Sequence, residues 1–197
     1  MLIGKLINAL FPKRCPICDE VILSREWVCP DCRKKIKPIS VDTCRKCGKP
    51  LADSGSIYCA SCEGKFQYYD RGYSVFEYKD MAKSLYRFKY GGRAEYAGFY
   101  AKCADIHLGD ILRELKAEAL IPVPIHKKRE RKRGYNQAEC FACELSKYLG
   151  VPVISDYVIR QKNTRALKTL NASERERNLK KAFIIGANGV KLKTIII

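Results

Sequence analysis

Four Cys-x-x-Cys pairs, Cys15/Cys18, Cys29/Cys32, Cys44/Cys47 and Cys59/Cys62, fall within the first 62 residues, separated by ten, eleven and eleven positions. Two thiols three positions apart in a tight turn aim both sulfurs at one point, and two such turns complete the tetrahedral four-sulfur shell that Zn²⁺ prefers. Eight cysteines at this spacing predict two closed, structural zinc sites. A secreted disulfide scaffold fits less well, because the eleven cysteines of the chain are an odd number and no small-residue cleavage site follows the apolar N-terminal stretch before Pro12 and Cys15. Iron–sulfur signatures cluster three cysteines and set a fourth apart, and a redox Cys-x-x-Cys occurs singly at a strand-to-helix turn. Pairing by spacing alone allows 15/18 to join 29/32 or 44/47. Sequential ribbons are favoured, since each gap accommodates a small hairpin.

Three cysteines lie outside the ladder. Cys140 and Cys143 sit among Ala138, Phe141, Ala142, Leu145 and Leu149, an amphipathic-helix spacing that predicts buried, reduced core thiols for both. Cys103 stands alone.

The net charge of +17 is unevenly placed. Residues 1–64 carry 11 Lys/Arg against 7 Asp/Glu, a surplus of four that two four-thiolate zinc centres, each about −2, would cancel. Residues 125–181 carry 15 Lys/Arg against 6 Asp/Glu, a surplus of nine, so the attraction for anions belongs to the second half. No apolar run approaches the length of a membrane span. Leu2, Ile3, Leu6, Ile7 and Leu10 fit one helical face, broken by Lys5 and Asn8, and predict a helix packed on the zinc unit of a cytoplasmic protein.

Beyond the ladder, Phe66 to Tyr78 reads as a two-stranded segment turning at Arg71-Gly72. Helices are predicted from Asp80 to Tyr90, stopped by Gly91-Gly92, and from Ala94 to about Leu108 with a further piece to Ala117. Ala119 to Pro124 reads as a buried strand leading into a loop. Asn136 with Glu139 opens a helix that Gly150 closes, and Ser173 with Glu176 forms a capping box for a helix to Lys181. Val151 to Arg160, Phe183 to Gly186 and Thr194 to Ile197 read as strands. The alternation argues for an α/β sheet with parallel strands.

The most chemically specific segment runs from Ile121 to Glu139, with six cations in the seven positions 127–133, then Gly134, Tyr135, and a helix start at Asn136 and Gln137. A strand end, a tight glycine turn and a helix N-terminus bind phosphate through exposed N–H groups reinforced by arginine. The competing assignment is a solvated charge run. Placement after a strand, where α/β proteins bind ligands, favours function. Tyr90 and Tyr135 are either stacking platforms for bases or packing residues. His107 falls in a helix and reads as structural. His126 lacks an acid-base partner and receives no catalytic role.

The zinc ladder, Phe88-Lys89-Tyr90-Gly91-Gly92-Arg93, the Pro-Val-Pro strand end, Arg133 to Ala138, and Asn163-Thr164-Arg165 followed by Arg175 to Asn178 together resemble the ComF family through nearly the whole chain. The resemblance implies a helix and double zinc ribbon over 1–64 joined to a Rossmann-like, mostly parallel phosphoribosyltransferase-like domain over 65–197. It implies a role in natural transformation, with single-stranded DNA and a helicase-like competence ATPase as partners. By the same resemblance Lys128, Arg129, Arg131, Arg133, Gly134, Tyr135, Asn136 and Gln137 form the pyrophosphate-side or DNA-contacting segment, with Lys89 and Arg93 close to the substrate. Residues 160–180 correspond to a flexible loop. In phosphoribosyltransferases a strand like Thr194 to Ile197 leads into an acidic pair and the turn that cradles PRPP. The sequence stops at that strand, so the expectation is a chain incomplete at its C-terminus that does not turn over PRPP. PRPP and Mg²⁺ become cofactors only where that turn is present.

Overall fold

The computed structural model describes residues 12–53, 55–164, 170–186 and 191–197. The apolar segment before Phe11 and the arginine of Asn163-Thr164-Arg165 lie outside them. The chain divides into two compact units, Met1–Arg87 and Phe88–Ile197.

The first unit is built from two copies of one device. A bridge between Arg14 and Val21 closes the turn that carries Cys15 and Cys18, and a bridge between Thr43 and Pro50 closes the turn of Cys44 and Cys47. In each turn the first cysteine donates its N–H five residues ahead, to Glu20 or Lys49, and the left-handed residue after the second cysteine donates back to it. That residue is Asp19 in one turn and Gly48 in the other, at φ 70° and 72°. Cys29 caps the short helix α1 (Pro30–Lys35), its sulfur accepting from the Cys32 N–H. The strands expected over 66–78 do not form. Gly72 donates to the Lys46 carbonyl and the Val75 carbonyl accepts from Ile39, so this backbone bonds to the cysteine-bearing loops and does not pair with itself.

Helix α2 (Tyr78–Tyr90) buries Met81, Ser84 and Phe88 on one face and ends before Gly92, whose φ of 68° halts it. Within the first unit Arg87 donates to the Ile17 carbonyl at 3.0 Å.

In the second unit α3 (Tyr96–Glu114) is one continuous helix, where the sequence suggested two pieces. It packs on α5 (Gln137–Leu149) through Ala101 and Ala104 against Ala142 and Leu145, the small residues permitting close approach. Strand β1 (Ala119–Leu120) lies against this layer, with Leu120 in the same cluster. It pairs in parallel with β4 (Ile195–Ile196) on one side and bridges Val153 in parallel on the other. Pro122 and Pro124, lacking N–H groups, end its ladder. The result is a mixed helix and sheet unit with a small parallel sheet. A second pair, β2 (Val158–Arg160) with β3 (Phe183–Ile185), is antiparallel and departs from the expected parallel order. Between them α6 (Ala172–Leu179) starts with a capping box of Asn171 and Glu174, two residues earlier than Ser173 and Glu176 would place it.

Among the described residues no helix is long and apolar enough to cross a membrane.

Candidate functional site

The eight ladder cysteines form two groups, Cys15, Cys18, Cys29 and Cys32 in one and Cys44, Cys47, Cys59 and Cys62 in the other, with the sulfurs of each within 4.8 Å of one another. The pairing is sequential. The Cys18 and Cys29 sulfurs stand 3.8 Å apart, and those of Cys47 and Cys59 3.7 Å. A tetrahedron with Zn–S bonds of about 2.3 Å has edges of about 3.8 Å, whereas a disulfide requires about 2.05 Å. All eleven cysteines are unbridged.

Electrostatics within each group also calls for a cation. Burial opposes the Cys15 thiolate, but N–H groups of Cys18, Cys29 and Ile17 overcome it and bring the thiol to about 7. Cys44 reaches about 6 in the same way, against burial and through Cys47, Cys59 and Lys46. Burial and the neighbouring sulfurs push Cys62 up to about 12 and drive Cys32 up as well. One sulfur of each group ionises readily while its neighbour resists, and a divalent metal removes that conflict. Cys15 and Cys44 are fully buried, so these are closed shells of the structural kind.

Remaining cysteines behave differently from one another. Cys140 packs against the cluster of Phe88, Tyr96 and Ala97, as a core thiol should. Cys143, expected to be buried with it, is exposed, because at 100° per residue it lies roughly 100° or more around α5 from the buried Ala142 and Leu145. Burial pushes the Cys103 thiol up to about 11.

The cationic segment is a helix, α4 (Lys127–Arg133), and not a loop. His126 caps it, Nδ1 accepting from the Lys128 N–H at 3.2 Å, and Gly134 ends it in the left-handed region at φ 87°. Arg131, Lys132 and Arg133 occupy the last turn, where the helix dipole favours positive charge.

Its cations divide by direction. Lys127, Lys128, Arg131 and Lys132 are exposed, and Lys127, Glu130, Arg131 and Gly134 line a shallow depression of about 360 Å³. Arg133 is half-buried, donates to Gln137 Oε1, and stacks over the Tyr90 ring at 5.0 Å. Arg129 turns the other way, its Nη2 donating to the Thr164 carbonyl.

Other residues singled out by the sequence hold this helix in place. Asn136, 8% exposed, accepts from the Ala138 N–H at 3.1 Å and donates to the Val123 carbonyl at 3.2 Å, tying the strand exit to the start of α5. Tyr135 stacks on Phe88 with ring centroids 6.2 Å apart and donates its hydroxyl to the Phe88 carbonyl, so it is a packing residue. Lys89 and Arg93, both half-buried, lie at the end of α2 and just past Gly92. His107 is exposed on α3. Arg160, which the sequence did not single out, converges with Arg129 on Thr164; its position at the end of a strand was the only local signal.

A double zinc ribbon domain model matches residues 6–63. Over 183 residues the chain is 30% identical to Competence protein F of Haemophilus influenzae, covering 90% of this chain and 79% of that protein. It is 28% identical over 180 residues to DNA utilization protein YhgH of Salmonella typhimurium, covering 87% and 77% of the two chains. It is 35% identical over 124 residues to Competence protein ComFC of Bacillus subtilis, covering 59% and 50%. No solved structure matches. The chain belongs to the ComF family, and its N-terminal ribbon region provides structural zinc sites.

Proposed function

We propose that this chain handles single-stranded DNA in the cytoplasm during competence, with the outward cations of α4 contacting the phosphate backbone. Relatives named for competence and DNA utilization support the process. The observation that carries the interface is the row of exposed Lys127, Lys128, Arg131 and Lys132 on one short helix beyond the C-terminal end of β1. Ligands of parallel α/β sheets gather at such ends. Tyr90, 62% exposed and overlain by Arg133, offers a ring for base stacking, worth about 1–3 kcal/mol per base. Lys128, Arg131, Arg133, Gly134, Gln137, Lys89 and Arg93 form the contact region, while Tyr135 and Asn136 shape it and Arg129 faces away from it toward Thr164. The eight ladder cysteines hold two Zn²⁺, and a helicase-like competence ATPase is the protein partner.

In domain terms, 1–64 is the zinc-ribbon module and 65–197 a phosphoribosyltransferase-like domain. Replacing Lys127, Lys128, Arg131 and Lys132 together by glutamine is expected to weaken oligonucleotide binding and to flatten its log–log salt slope by about 3, at about 0.7 per phosphate contact. Binding that keeps its slope in this variant would remove α4 from the interface.

A second reading, phosphoribosyl transfer to an acceptor, is supported by the same strand-to-cation arrangement at the end of β1. Release of pyrophosphate from PRPP is the measurement that would favour it over DNA binding alone.

A further inference from the structure

The first unit keeps several of its aromatic rings on the outside. Phe66 and Tyr68 are 81% and 98% exposed, with ring centroids 5.1 Å apart and planes crossing at 87°. Tyr69, Ile57 and Tyr58 are exposed as well. Apolar groups gathered on a surface in this way mark a place where something binds. The backbone that carries them is tied to the second cysteine group. Lys65 donates its N–H to the Cys62 carbonyl, Gly72 to the Lys46 carbonyl, and Arg45 to the Ile57 carbonyl. Rings on so fixed a support lose little freedom when a partner arrives.

Cations are set among these rings. Lys46 Nζ lies over the Tyr69 ring at 5.2 Å, the Arg71 guanidinium lies over Tyr73 at 5.0 Å, and Lys65 directly precedes Phe66. The core of a protein–protein interface sheds charged residues, lysine among them. Rings interleaved with cations are instead what single-stranded nucleic acid takes, its bases on the rings and its phosphates beside the cations. Residues 44–73 carry five Lys/Arg against three Asp/Glu, a surplus of two that one four-thiolate zinc centre, about −2, cancels. Long-range attraction is therefore weak here, and stacking is what this surface has to offer.

We propose that Phe66, Tyr68 and Tyr69 of the second ribbon form a base-stacking surface for single-stranded DNA, a contact separate from α4 that takes bases where α4 takes phosphates. It rests on the reading that this chain handles single-stranded DNA, and adds to it a site in the first unit. Every base has a π-face, so the contact tolerates any sequence. Few phosphates are engaged, so it contributes little to the salt dependence of binding.

The test titrates the zinc-loaded full chain against two strands of about 12 nucleotides with equal phosphate count, oligothymidylate and its abasic counterpart. The double variant F66S/Y68S is expected to bind oligothymidylate about tenfold more weakly than the parent. Its affinity for the abasic strand and its log–log salt slope should match those of the parent, because only base contacts are lost. The quadruple glutamine variant of α4 should behave inversely, with a flatter slope and an unchanged preference for the base-bearing strand. Should F66S/Y68S fail to retain two zinc ions, Y68S alone tests the same surface, with an expected loss of about fivefold. Unchanged affinity for oligothymidylate, an equal loss for both strands, or a flatter slope in F66S/Y68S would each overturn the proposal. So would a parent that self-associates and is dispersed by F66S/Y68S with its DNA affinity intact, since the rings would then join two copies of the chain. Each of these results removes the ribbon surface alone. A parent that binds neither strand removes the DNA-handling reading and this surface with it.

Discussion

The two units are stabilised by different means. In the first, four of the buried residues are cysteines of the metal groups, while Val21, Leu23, Val41, Ile57, Phe66 and Tyr68 stay exposed. In the second, the helices α3 and α5 bury alanine and leucine against the parallel sheet, and no ladder cysteine takes part. The lesson is that the ribbon has too little apolar interior to hold itself, so its core is metal and sulfur.

Zinc removal gives the largest contrast. Chelation is expected to unfold the first unit, since structural zinc in small ribbons supplies about 10–16 kcal/mol of apparent folding free energy. The α3–α5 layer should survive, seen as a trypsin-resistant fragment containing residues 96–149. Loss of that fragment on chelation would make the units one cooperative block. The reverse experiment is L145A, expected to cost about 2–5 kcal/mol through a cavity between α3 and α5. Metal analysis should still return about two zinc ions per chain.

The two cysteine turns of the first unit differ in how closely other backbone approaches them. Asp19 and Gly48 share a left-handed conformation, but a Cβ on Gly48 would stand 2.8 Å from the Gly72 carbonyl oxygen and the Tyr73 Cα. G48A is expected to destabilise the second ribbon by about 1–3 kcal/mol, and D19G to change the first by less than about 1 kcal/mol. Equal effects of the two substitutions in zinc-competition titrations would show that the 72–74 segment yields.

The smallest effect is in the second unit. Burial raises the Cys103 thiol to about 11 from an ordinary value of 9.0, so the folded protein holds this proton more tightly than the unfolded chain. The resulting stabilisation is full below pH 9 and disappears as pH rises from 9 to 11. It should be visible as a steeper alkaline loss of Tm in the parent than in C103A. Exposed Cys143 should be alkylated well before Cys103 at pH 8.

Much of this organisation was legible because the governing interactions span three or four residues. The Cys-x-x-Cys turns announced two metal groups, and Asn136 and Gly150 marked the limits of α5. The errors arose where a distant partner chose between local options. Asn171 with Glu174 and Ser173 with Glu176 both satisfy the capping pattern. The Asn171 start lets Arg175 bond the Leu170 carbonyl and the Asn171 carbonyl. Six cations in seven positions after a strand read as a phosphate-binding loop, yet caps at His126 and Gly134, with bonds from Arg129 and Arg133, hold them in a helix. The aromatic stretch after the ladder had the composition of strands, but its backbone partners were the ribbon loops.

By itself the sequence determined that this chain carries two four-thiolate groups and a cationic element between a buried strand and a capped helix, since each rests on neighbouring residues and backbone geometry. Tertiary structure alone decided the sequential grouping of the cysteines, which cations face outward, and that Arg129 and Arg160 share Thr164. Side chains far apart in sequence converge only when helices and strands pack, and no local spacing encodes that approach.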